Sequence, residues 1–163
     1  MEVSGIQRVF GWGESIIMPP LARWLGYAGL LPQAFAVGWL AVAPKMVAIN
    51  LPLLLVHGYA ALIFSFLGGL WWGLGAAARD RAPAWVWVVA VVPSLVGLGS
   101  MALMVMTGMN MLALALLGIG LVAALLVDRE LVALDLAPAS WMDLRTPLSL
   151  GLGGLTLVAA ALS

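Results

Sequence analysis

His57 is the only histidine in the chain and the only side chain within a predicted span that titrates near neutral pH. It falls about two turns into an apolar stretch, close to Tyr59. Ionisable groups inside membranes often relay protons or contact ligands. The simpler reading is a neutral imidazole hydrogen-bonded to a neighbouring helix or to interfacial water. Trp71 and Trp72 lie further along the same stretch, and their flat apolar faces suit a lipid or an aromatic ligand. His57, Tyr59, Trp71 and Trp72 are therefore the candidate ligand-binding residues, against the plainer duties of packing and interfacial anchoring. A second group of chemistry-bearing residues is Asp128, Arg129, Glu130, Asp135, Trp141, Asp143 and Arg145. Paired carboxylates can exchange protons, but no nucleophile or phosphate-binding loop accompanies them. They read as a solvated, salt-bridged connection between two spans, and as the best docking surface for a soluble partner.

The sequence names no catalytic residue and calls for no cofactor. Cysteine is absent, which removes disulfides, thiolate nucleophiles and cysteine metal sites. A lone histidine cannot bind a metal together with carboxylates confined to loops. Met101, Met104, Met106, Met109 and Met111 offer soft thioether ligands, yet flexible filling of a bundle end accounts for them. The expected metal set is none.

These residues must be positioned by helices in lipid. Of 163 residues, 64% are hydrophobic and only 9% charged, whereas a soluble domain is about a quarter charged. Seven basic residues balance seven acidic ones, leaving no field to attract nucleic acid. The charges cluster between long uncharged runs, and each run long enough to cross a bilayer reads as a helix. The fold class is all-α: a single transmembrane domain over 1–163, built as a bundle of five helices. A short interfacial segment at 1–20 precedes spans at about 22–43, 50–78, 84–106, 111–127 and 146–163. Thr107, Gly108, Met109 and Asn110 supply the turn between the third and fourth. Pro32 and Pro93 fall inside helices, where each removes a backbone bond and tends to kink the axis.

Arg8, Arg23, Arg79, Arg81, Arg129 and Arg145 fall on one side of this layout and Lys45 alone on the other. The positive-inside rule then predicts the N-terminus inside and the C-terminus outside. Composition rich in Ala, Leu and Gly suggests a multi-pass protein of the bacterial inner (cytoplasmic) membrane. Helix association in lipid depends on close packing. Ala61, Ser65, Gly69, Gly73 and Ala77 recur every four residues, forming a small-residue ridge for a neighbouring span or, alternatively, for a homodimer.

The segment YAALIFSFLGGLWWG, from Tyr59 to Gly73, resembles the signature of a family of uncharacterised small membrane proteins that includes mitochondrial transmembrane protein 69 and many bacterial relatives. LGYAGLLP at Leu25 to Pro32 and VVPSL at Val91 to Leu95 look like its first and third spans, and WMDLR at Trp141 to Arg145 like its approach to the last. The resemblance implies five spans and no established activity. The first expectation for function is a non-enzymatic accessory or assembly subunit of a membrane complex, whose partners are lipids and other membrane subunits and not nucleic acid. The alternative is a carrier or sensor of a hydrophobic small molecule, similar to the tryptophan-rich sensory proteins in length, span number and Trp content.

Overall fold

A computed structural model describes residues 20–42 and 50–163. The expected interfacial segment, apart from Pro20, and residues 43–49, with Lys45 among them, lie outside the described residues. Six α-helices follow in order: α1 Pro20–Ala28, α2 Leu31–Val42, α3 Leu51–Ala78, α4 Ala84–Thr107, α5 Asn110–Ala133 and α6 Trp141–Leu162. Together α1 and α2 make one apolar stretch, so five segments are long and apolar enough to cross a membrane.

The first stretch breaks at Gly29 and Leu30 because Pro32 has no N–H to donate to the carbonyl four residues back. The chain closes the gap with tighter bonds: Gly29 N–H donates to Leu25 and Gly26, and Leu30 N–H to Tyr27. The Tyr59 hydroxyl, reaching across from α3, donates to the Gly29 carbonyl. Pro93 by contrast lies within a continuous α4. Asn50 caps α3, its Oδ1 accepting the Leu53 N–H at 3.2 Å, as helix N-termini prefer. Gly108 ends α4 in the left-handed conformation, with φ at 69°, which glycine adopts without steric penalty.

Helices α3 and α4 run antiparallel at very short separation. A Cβ on Gly68 would stand 2.2 Å from the Ala90 carbonyl oxygen, while Gly97 of α4 faces Ala61 and Ser65 Oγ lies 2.8 Å from Ser94 Oγ. Only the first part of the expected ridge therefore meets a neighbour. A step of four residues turns about 400° around a helix, so a strict four-residue row drifts by about 40° each time. Gly69, Gly73 and Ala77 have rotated onto the exposed side, and a Cβ at either glycine would touch nothing within 4 Å. The contact follows the alternating three- and four-residue spacing of Ala61, Ser65, Gly68 and Gly75 instead. The α5–α6 hairpin is equally close, with Gly118 and Gly153 facing each other's carbonyls at about 3 Å from an added Cβ.

Apolar packing falls into two clusters. One contains Phe64, Leu67, Trp71, Leu121 and Leu131. The other contains Val37, Val56, Met104, Leu114 and Ala159. On four helices a fully or almost fully buried polar residue marks the boundary between them: Gln33, His57, Ser100 and Thr156.

Candidate functional site

The fourth and fifth predicted spans ended and began at charges, and both boundaries are wrong for one reason. Asp128 lies inside α5, which continues to Ala133, and Arg145 lies inside α6, which begins at Trp141. Both are buried, Asp128 completely and Arg145 with 7% exposure. The expected solvated connection is thus corrected for these two residues. They form an ion pair, Arg145 Nε donating to Asp128 Oδ2 at 2.8 Å. Mutual neutralisation and further donors let the charges leave water. Trp71 Nε1 donates to Asp128 Oδ1 at 2.9 Å and Trp141 Nε1 to the same oxygen at 3.2 Å. An Arg145 Nη donates to Ser149 Oγ at 3.2 Å.

Three helices place these groups. On α5 the buried positions Leu114, Leu117, Leu121, Leu125, Asp128 and Leu131 occupy one face. On α6 the corresponding stripe is Arg145, Ser149, Leu152, Thr156 and Ala159. Trp71 joins them from α3 as one of the largest fully buried side chains. Trp71→Phe removes one charge-assisted bond and, with its smaller ring, leaves space in the core. We expect it to lower stability by about 1.5–3 kcal/mol, measured by denaturant unfolding in mixed micelles.

The ion pair borders a cavity of about 250 Å³. Its wall takes in Gly26, Gly29 and Leu30 at the α1/α2 break, Ile63 and Phe66 on α3, and Arg145 with Ser149 on α6. Except for these last two, the lining is apolar or glycine. The Tyr59 hydroxyl shapes this wall by holding the broken backbone at Gly29. Tyr59→Phe should cost about 1 kcal/mol and loosen the break, seen as faster amide exchange at Leu30 and Leu31 than in the parent protein.

The four residues singled out for ligand binding are not gathered into one pocket. His57 is fully buried against α4, its Nε2 lying 3.1 Å from Ser100 Oγ. The Ser100 hydroxyl donates to the Gly97 carbonyl, so the imidazole must be the donor in that contact. Tyr59 braces Gly29, Trp71 holds Asp128, and Trp72 packs edge-on against Trp87 with ring centroids 5.0 Å apart. Across the same polar layer Gln33 Nε2 donates to Thr156 Oγ1 at 2.9 Å. His57 Nδ1 and Gln33 Oε1 have no hydrogen-bond partner among the described residues. No group of three or more His, Cys, Asp or Glu among the described residues is arranged to hold a metal ion.

Sequence reasoning missed Asp128 and Arg145 as interior residues. The available signal was the apolar stripe of α5, which runs through Asp128 to Leu131 without changing its spacing.

No curated protein and no solved structure matches the chain. A family model described as a protein of unknown function (DUF3429) matches residues 18–162, which takes in all five apolar segments and the whole Asp128–Arg145 site. The chain is a multi-pass membrane protein and belongs to this family of unknown function.

Proposed function

We propose that the protein acts by binding, as a carrier or sensor of a hydrophobic small molecule, with no catalysis of its own. The observation that carries this reading is a cavity whose wall is apolar apart from Arg145 and Ser149. Ligand sites have this composition, a largely apolar lining with few polar groups to orient the guest. Asp128 is already engaged by three donors, which fits a structural acceptor better than a general base. The test is thermal unfolding in non-ionic detergent with a panel of apolar compounds, sterols and tetrapyrroles included. A ligand at a hundred times its Kd stabilises by about 2.7 kcal/mol. At least one compound should raise the unfolding temperature of the parent protein, with Ile63→Trp, which fills the cavity, unaffected. No stabilisation by any compound, or an equal response of Ile63→Trp, overturns the reading.

A second reading, an accessory subunit of a membrane complex, is favoured by the exposed faces of Gly69 and Gly73, since small residues let another helix approach. Gly69→Ile together with Gly73→Ile should then abolish co-purification of a membrane partner or of a second copy. Retention of that partner counts against this reading. The side preference of Arg and Lys supports an N-terminus inside the bacterial inner membrane, and the Tyr59–Gly73 motif supports kinship with mitochondrial transmembrane protein 69.

A further inference from the structure

We propose that the cavity beside Arg145 seats an acyl amphiphile with an oxyanion head, a carboxylate or a phosphate monoester, taken sideways from the leaflet on the Arg145 side of the membrane. This rests on the binding reading above and names the chemical class of the guest.

The head is assigned from the way Arg145 is held. It reaches Asp128 through Nε, and among the described residues its Nη contact is with Ser149. A guanidinium recognises carboxylates and phosphates through two parallel N–H groups, and here the Nη1–Nη2 edge is not the one that pairs with Asp128. Asp128 in turn shares its negative charge with two neutral indole donors, so the guanidinium is not its sole stabilising partner. Arg145 and Ser149 are both cavity wall, and both are at least nine-tenths buried. An oxyanion arriving there meets guanidinium N–H donors and a hydroxyl in a setting of low dielectric.

The tail is assigned from depth. Every helix bordering the ion pair contributes cavity residues on the side nearer the bilayer centre. On α6 they are Leu148 and Leu152 beyond Arg145. On α5 Leu121 precedes Asp128 by about 10 Å of helix, and on α3 Ile63 and Leu67 precede Trp71. The charged group thus stands at the rim with the apolar space extending inward, the polarity of a lipid within one leaflet. At roughly 30 Å³ for a water-sized group, the cavity of about 250 Å³ holds about eight such groups, one chain segment and not two. The way in is lateral: Leu25 of α1 and Phe66 of α3 line the cavity and are each 64% exposed on the face that meets lipid.

Native mass spectrometry of the full chain from non-ionic detergent tests the assignment, with decanoate, decanol and a phosphatidic acid as probes. Decanoate should occupy a single site about tenfold more tightly than decanol, the ratio that one charge-assisted bond of ordinary net strength provides. Arg145→Gln combined with Asp128→Asn avoids a lone buried charge, and should bring that ratio to about one while decanol still binds. Leu148→Trp leaves the ion pair in place and should abolish binding of both. Preference for either oxyanion over decanol, lost in the double variant, supports the assignment. The ratio between decanoate and phosphatidic acid tells a free acid from a phospholipid. Equal binding of decanoate and decanol to the parent protein overturns the assignment and leaves the cavity reading standing. Failure of all three probes, in a protein that other apolar compounds stabilise, overturns it as well.

Discussion

Asp128→Ala lowers the unfolding free energy by about 3–5 kcal/mol, because removing one partner of a buried pair leaves the other charge uncompensated. Three donors lose their acceptor at once, the Trp71 and Trp141 indoles and the Arg145 guanidinium. Arg145 stands in a cavity wall that is otherwise mostly apolar, so water compensates poorly for the loss. Asp128→Asn should fall between the two, since its amide oxygen still accepts while the charge is gone. Asp128→Leu with Arg145→Met removes both charges and should recover most of the stability, as replacing a buried pair by apolar residues often does. Unfolding of the parent, Asp128→Leu, Arg145→Met and the double variant in mixed micelles gives a double-mutant cycle. If the double variant loses the sum of what the two single variants lose, the two charges are not coupled, and the buried pair is not what holds α5 to α6.

Gly68→Ala should be the most damaging change of a single hydrogen to a methyl in the bundle. The added carbon would stand 2.2 Å from the Ala90 carbonyl oxygen, far inside contact distance, and the obstacle is backbone that cannot rotate away. Either α3 and α4 separate, giving up the contacts around Ala61, Ser65 and Gly75, or the helices bend. Overpacking of this kind costs about 1–3 kcal/mol, occasionally more, and Gly68 belongs at the upper end. Its neighbour supplies the control. At Gly69 nothing lies within 4 Å of the new carbon, so Gly69→Ala gains helix propensity worth up to about 1 kcal/mol. Opposite signs for adjacent glycines, read as unfolding temperatures in one detergent, are the expected outcome. Equal losses at both would place the tight α3–α4 contact elsewhere.

The five spans and their helical type were legible because lipid leaves few alternatives: a long apolar run must be helical to satisfy its own backbone. The turn at Gly108 was legible for the same reason that its φ is positive. Two features escaped. Ending the fourth span at Val127 assumes that a charge ends a span, which holds only where the charge has no partner inside. Arg145, which supplies that partner, is 17 residues away in sequence, and nothing local announces the pairing. The ridge failed more subtly. Identical spacing over Ala61, Ser65, Gly69, Gly73 and Ala77 suggests a straight seam, but the helix surface turns beneath it, and only Ala61 and Ser65 reach α4. Tyr59 and Trp71 stand out in the sequence as a neighbour of His57 and as a flat apolar face for a ligand or a lipid. Their partners, a backbone carbonyl at the α1/α2 break and a carboxylate on another helix, belong to the assembled fold and not to their own segment.

The polar layer of Gln33, His57, Ser100 and Thr156 has a consequence for how the bundle is aligned. Greasy surfaces slide past one another at little cost, and a hydrocarbon solvent gives no reason to prefer one vertical offset. Hydrogen bonds joining α2 to α6 and α3 to α4 at a single height make a displacement by one helical turn, about 5.4 Å, strand several polar atoms at once. These two cross-links act as detents, setting the heights at which the helices of each pair come to rest.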